Sequence, residues 1–272
     1  MTAVSIGASV ASSVGFIPIA NPAPSELPPF PLNHPRILYK NLLEGSGVAS
    51  TTGANANRTL IPNTANRWTF SADGSIIYTF SGAKNIDSIG IASHNLAGCT
   101  VTARYNSGTA FASVVAANNI AIFFHVPSAV SASDISISIS GVGTTSRFVG
   151  AIYAGISLQM QRPYFAGSSP INLSRVTKFY SARTETGNVI GRDIRIQNFE
   201  TSADFKNLSN DWYRAFFDPF VESARRYPYF YAWNLQGYPL DIGFCETIED
   251  IHPKYQGTRD LLSVGFRLLG VG

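Results

Sequence analysis

The chain has 272 residues, a net charge of +3 and two cysteines. Only 14% of its residues are charged, against about 25% in an ordinary soluble domain, so its surface is either rich in Ser, Thr, Asn and Gly or covered by neighbours. The small charge and the scattered basic residues, with Arg225-Arg226 the only adjacent pair, argue against a nucleic-acid binder; no apolar run reaches the ~20 residues of a membrane span, and without a Cys-x-x-Cys motif Cys99 and Cys245 read as buried free thiols.

Residues 1–35 read as an arm. Pro18, Pro22, Pro24, Pro28, Pro29, Pro31 and Pro35 enforce extended or polyproline-like backbone and forbid a helix. Ser, Gly and Pro interrupt its apolar run, and no Lys or Arg precedes Arg36, so it does not read as a signal peptide. Such an arm needs something to hold it, either its own domain or a neighbouring subunit; we expect it to act between subunits.

Residues 36–160 read as all-β. Ile135-Ser-Ile-Ser-Ile-Ser140 alternates strictly, as a strand with one buried face does. Further strands are expected at 75–80, 86–92, 101–105 and 121–126. Asp73-Gly74, Ser81-Gly82, Asn106-Ser-Gly108 and Asn118-Asn119 supply the turns between them. Many short strands without a helical pattern mean a sandwich or barrel. Residues 161–190 read as a polar connector, and 191–206 as a strand pair or one long bent strand.

Residues 209–227 carry the one convincing amphipathic helix. Trp212, Phe216, Phe220, Ala224 and Tyr227 recur at helical spacing, and Tyr213, Phe217 and Val221 widen the face. Arg225 and Arg226 suit the C-terminal end of the dipole, and Pro228 stops the helix. At Asp218-Pro219 the helix either kinks or restarts with Asp218 as cap. Strands follow at 229–234, 241–246 and 261–269; in the last, Leu262, Val264, Phe266 and Leu268 share a face.

No catalytic, cofactor or metal residues are assigned. His34, His94, His125 and His252 show no metal-ligand spacing. Glu246, Glu249, Asp250 and His252 gather locally, but a solvated loop or ion pairs explain them better than a cation site. No Gly-x-Ser-x-Gly elbow occurs, and Gly45-x-Gly47 and Gly141-x-Gly143 precede no helix, so neither is a phosphate loop.

Phe-x-Pro-Phe-Val-x-x-Ala-x-x-Tyr-Pro-x-Phe-x-Ala-Trp, from Phe217 to Trp233, resembles the C-terminal part of tail-tip structural proteins of long-tailed bacteriophages, similar to distal tail proteins. Lys84 to Leu96 resembles the discoidin-like (galactose-binding-like) module that often precedes that block, and Asn66-Arg67-Trp68 its Thr-Arg-Trp element; Leu60-Ile-Pro-Asn63 replaces the usual Asp-Gly loop. The resemblance implies a mainly β fold: a discoidin-like jelly-roll β-sandwich over 36–160, then a tail-tube-like β-sandwich with one flanking helix over 191–272. It implies a non-enzymatic virion subunit, assembled in the host cytoplasm, that forms a ring at the distal end of the tail tube and meets tube, hub or fibre proteins. Six-fold symmetry is expected first and three-fold next. Trp212, Phe216, Phe220, Tyr227 and Trp233 are the assembly and core residues of that reading. The alternative is a host-surface glycan-binding module using Arg67, Trp68, His94 and Asn95. Neither reading requires contact with nucleic acid or insertion into a membrane.

Overall fold

The computed structural model describes residues 29–165, 169–257 and 260–271; the expected inter-subunit arm falls mostly on residues 1–28, outside the described residues. The described strands form two antiparallel sheets. Chain order begins with β1 (Arg36–Leu38), β2 (Gly47–Ser50), β3 (Trp68–Phe70), β4 (Gly74–His94) and β5 (Thr100–Tyr105). It continues with β6 (Thr109–Val115), β7 (Ile122–Ser140), β8 (Arg147–Gly155), β9 (Leu158–Gln159), β10 (Arg175–Arg183) and β11 (Val189–Ser209). The helical segment of 210–224 precedes β12 (Tyr229–Ala232), β13 (Ile242–Thr247), β14 (His252–Tyr255) and β15 (Leu261–Val271).

One sheet runs β3-β8-β4-β7-β5-β6, with β2 on the first half of β4. Its long strands β4 and β7 break register between Thr79 and Lys84 and again between Ile86 and Ser88. Such irregularities bend a strand, and both halves of β4 then contribute to one core, Ile76 and Tyr78 from the first and Ile89 and Ile91 from the second. The alternation expected at 135–140 buries Ile135, Ile137 and Ile139 in that core.

The other sheet runs β10-β11-β15-β13-β12-β1-β9, with β14 on β15. Two domain boundaries differ from the sequence reading. β1 and β9 lie inside 36–160 yet belong to this second sheet, where they pair with each other. The sandwich is therefore an insertion, leaving the second sheet after β1 and returning to it at β9. Residues 175–183 are not connector but β10, one arm of a hairpin with β11. Of the two readings for 191–206, the single long strand is the one formed.

Both faces of the second sheet are covered at its centre. In β12, Tyr229 and Tyr231 point to the helix side, while Phe230 and Ala232 point to the sandwich. Period-two alternation between two apolar layers explains why Tyr229-Phe-Tyr-Ala232 shows no polar face. The ring of Phe230 lies on Gly90 of β4, where a Cβ would come within 2.7 Å of it. Tyr153 and Phe244 flank Phe230 at ring-centroid distances of 5.4 and 4.8 Å.

The helix departs from the expected face. Residues Tyr213–Phe217 form a π turn between the α-helical Asn210–Trp212 and Asp218–Ala224. A π turn inserts one residue into the register. Phe217 consequently takes the buried place expected for Phe216, packing with Trp212, Phe220 and Phe266, and Phe216 is left half-buried at the margin. Tyr227 lies beyond the last helical turn and is 53% exposed, so it leaves the face altogether. Trp233 is half-buried, its Nε1 donating to Asp241 Oδ2 at 3.3 Å.

This register makes a measurable difference. Phe217→Ala is expected to cost about 3–5 kcal/mol, the range for a fully buried Phe, and Phe216→Ala less than half of that. Urea unfolding of the two full-length variants checks it; equal losses would contradict the π-turn register.

Candidate functional site

The strand pairings that close the sandwich bring four sequence-selected residues to one end of it. Trp68 in β3 and His94 at the end of β4 both pair with Val149 of β8, and Arg67 and Asn95 follow from chain continuity. The cluster forms, but its chemistry is mostly internal. Trp68 is fully buried and packs on Phe70 at 4.3 Å. Its Nε1 donates to the Thr52 carbonyl at 3.0 Å. The covering loop passes so close that Gly53, at φ 82°, has no room for a Cβ. No face of Trp68 remains for a sugar, which corrects its assignment as a glycan platform.

His94 is buried too, with Nδ1 accepting from the Leu96 amide at 3.3 Å. That bond assigns the neutral tautomer with the proton on Nε2. Burial holds its pKa down at about 4, with the Ile120 carbonyl acting weakly the other way. Asn95 is half-buried: Oδ1 accepts from the Phe148 amide at 2.7 Å and Nδ2 donates to the Ser146 carbonyl at 3.1 Å. Its side chain is spent on backbone. Arg67 Cζ sits 4.0 Å from the Phe148 ring centroid, and Nε donates to the Thr64 carbonyl at 3.0 Å. Arg67, Asn95 and Phe148 are half-buried and the part of this cluster that solvent reaches.

Sequence reading missed a second polar cluster, at the root of the insertion. Arg36 is fully buried in β1, where it donates to the carbonyls of Phe30 at 2.5 Å and His34 at 3.0 Å. Residues 29–35 are thereby folded back on the chain's own second domain, and the Met160 amide donates to the Pro35 carbonyl at 2.9 Å. Burial lowers the Arg36 pKa to about 10, against the pull of Asp87. Burial raises that of Asp87, opposed by hydrogen bonds from Ser157 and Ser88 and by Arg36. Ser88 Oγ lies 3.0 Å from His125 Nδ1, but Ser88 is fully enclosed, so no substrate can approach this pair. Burial, then the Arg36 charge, holds the His125 pKa at about 4.

The acidic stretch 246–252 makes an ion pair, Asp250 with Arg225 at 3.2 Å, and Arg225 also meets Glu222 at 3.2 Å. Among the described residues no three His, Cys, Asp or Glu side chains converge on a metal position. Both cysteines are buried and free.

A run of exposed apolar residues lies elsewhere. The β10–β11 hairpin carries Val176, Phe179, Tyr180, Val189 and Ile190, of which Phe179 is 49% and Ile190 68% exposed. Past its base the hairpin is a two-stranded ribbon, an arrangement only marginally stable in water on its own. Arg192 stacks on Phe179 at 3.4 Å from its centroid. The sequence signal for this was present, as apolar residues between Arg175 and Asp193 without a helical period, but it was submerged in a stretch read as polar.

No family model and no curated protein matches the chain. Among solved structures, the family 32 carbohydrate-binding module of C. perfringens NanJ, in complex with galactose, is 17% identical, with a TM-score of 0.37 over 44% of this chain and 98% of its own. The fucose-binding module of Streptococcus pneumoniae is 12% identical, with a TM-score of 0.35 over 43% of this chain and 95% of its own. The lectin domain of lectinolysin, complexed with Lewis B antigen, is 10% identical, with a TM-score of 0.35 over 42% of this chain and 95% of its own. At those scores the similarity says nothing about what this chain binds.

The buried histidines give a pH dependence. Between pH 6.5 and about 4 the unfolded chain holds a proton on His94 that the folded chain excludes, so stability falls as pH falls through that window. His125 acts in the same direction and Asp87, with its raised pKa, in the opposite one. His94→Gln is expected to flatten the fall in melting temperature between pH 7 and 4 relative to the unsubstituted chain. Parallel curves would show that His94 is not held neutral.

Proposed function

We propose that this chain is a non-enzymatic structural subunit that assembles with copies of itself through its second sheet, as a ring at the distal end of a bacteriophage tail tube, in contact with hub or fibre proteins. One observation carries the reading: a projecting hairpin with five large apolar side chains open to solvent. They are shared between the two faces of the ribbon, since Phe179 and Tyr180, like Val189 and Ile190, are neighbours in one strand, and large apolar exposure marks interaction sites on soluble proteins. The low charge content fits a surface partly covered in the assembly. The sequence resemblance of Phe217 to Trp233 supplies the tail-tip setting. Mass photometry of the full chain is expected to show a closed oligomer, six-fold first and three-fold next; a monomer at all concentrations, with no ring in tail preparations, would contradict it.

A second reading places glycan binding at the end of the sandwich. The observation favouring it is the half-exposed Arg67–Phe148 stack, an aromatic ring and a cationic hydrogen-bond donor side by side. Galactose, fucose and the Lewis B antigen, named for the structural neighbours, are the natural probes. Under this reading calorimetric titration detects binding that Arg67→Ala weakens at least tenfold. Binding unaffected by Arg67→Ala would remove this end of the sandwich from consideration.

A further inference from the structure

Where the chain leaves β1 and re-enters at β9, an open apolar pocket of about 280 Å³ lies against the helical segment. Tyr39, Leu42, Leu158, Ala215 and Phe216 form most of its wall. The π turn shapes it, by taking Phe217 into the core and leaving Ala215 and Phe216 half-buried at the rim. Exposed Lys40 also lines it, with Nζ 5.5 Å from the Tyr39 ring centroid. Among the described residues Lys40 has no ion-pair partner. The described chain begins close by. The Phe30 amide donates to Gln159 Oε1 at 3.0 Å, and Gln159 directly follows Leu158 of the pocket wall. Phe30, Tyr39 and Phe216 pack against the same apolar cluster.

We infer that Glu26 and Leu27 of the same chain dock on this pocket, Leu27 against its apolar wall and Glu26 on Lys40. Reach permits it: Leu27 lies three residues before Phe30 and Glu26 four, a span of roughly 10–14 Å when extended. Pro28 and Pro29 restrict the backbone between them to extended forms, so docking costs less conformational entropy than it would for a Gly/Ser-rich tail. Charge selects the segment: Glu26 is the only Asp, Glu, Lys or Arg among residues 1–35, and a large apolar residue adjoins it. The pocket presents the matching pair, an apolar hollow and one unpaired cation. Removing Leu27 and the rim of Phe216 from water supplies the affinity. The exposed ion pair adds little to that and chiefly fixes the register. The contact lies within one chain and so is independent of the self-assembly reading. It pins the arm to the root of the inserted sandwich.

Disulfide trapping in the full chain tests this, with Leu27→Cys and Ala215→Cys combined in a glutathione redox buffer. The native thiols, Cys99 and Cys245, are buried. The expected product is a reducible link between tryptic peptides 1–36 and 215–225, in a chain that still runs as a monomer on a non-reducing gel. A link that joins two chains, or no link beyond that of the single-cysteine variants, overturns the inference. A second measurement leaves the pocket wall intact. A nitroxide attached through Ser25→Cys is expected to show a slow-motion spectrum. Lys40→Glu or Glu26→Lys alone lowers the ratio of slow to fast component by roughly two- to fivefold, the effect of losing an exposed ion pair, and the two together restore it. A label that moves freely in the unexchanged chain, or a charge exchange that restores nothing, overturns the inference equally. Circular dichroism reports folding of each variant.

Discussion

The architecture depends on the ring of Phe230 lying on the bare backbone of Gly90. Two sheets from different parts of the chain meet there. Large rings from the second sheet, Phe230 and Phe244, fill the space left by Gly90, Ala92 and Ala151 of the sandwich. Leu38 of β1 lies in the same layer. Interiors pack at close to crystal density, and a side chain larger than the space allows forces neighbours to move. The seam therefore holds the sandwich at one orientation on the second sheet.

The insertion topology strengthens the constraint. β1 and β9 pair with each other inside the second sheet, so both ends of the sandwich are anchored by backbone hydrogen bonds. Next to this root sit Arg36, Asp87 and Ser157, with the Ser157 amide donating to Asp87 Oδ1 at 2.8 Å. A buried charge that loses its partner is costly. The network thus resists any movement that would pull the crossing segments away from β4. In the assembly proposed above, contacts made by the hairpin would set where the sandwich faces.

Much of this was legible in the sequence wherever one face of an element is buried and the other wet. Ile135-Ser-Ile-Ser-Ile-Ser140 and Leu262 to Leu268 show their period openly, and their strands are where the pattern puts them. β1 and β9 were not legible as part of the second sheet, because three- and two-residue strands carry no period and their partners lie over 100 residues away. The helix was found but its face was shifted, since a π turn leaves no mark in a 3.6-residue pattern; the aromatic pair Phe216-Phe217 satisfies either register. At the sandwich end, the residues came together as the strands required. Their sequence did not reveal that Trp68 faces inward and that Asn95 is committed to backbone.

The Phe230 seam joins sandwich and second sheet into one body. Native-state hydrogen exchange on the full chain tests it most directly, because it reports opening free energies strand by strand. The amides of β1, β9 and β12 are expected to open only with the core strands β4 and β8, at a common free energy. Amides of β1 and β9 that open at far lower free energy than β4, or a sandwich that opens while β12 stays closed, would contradict it.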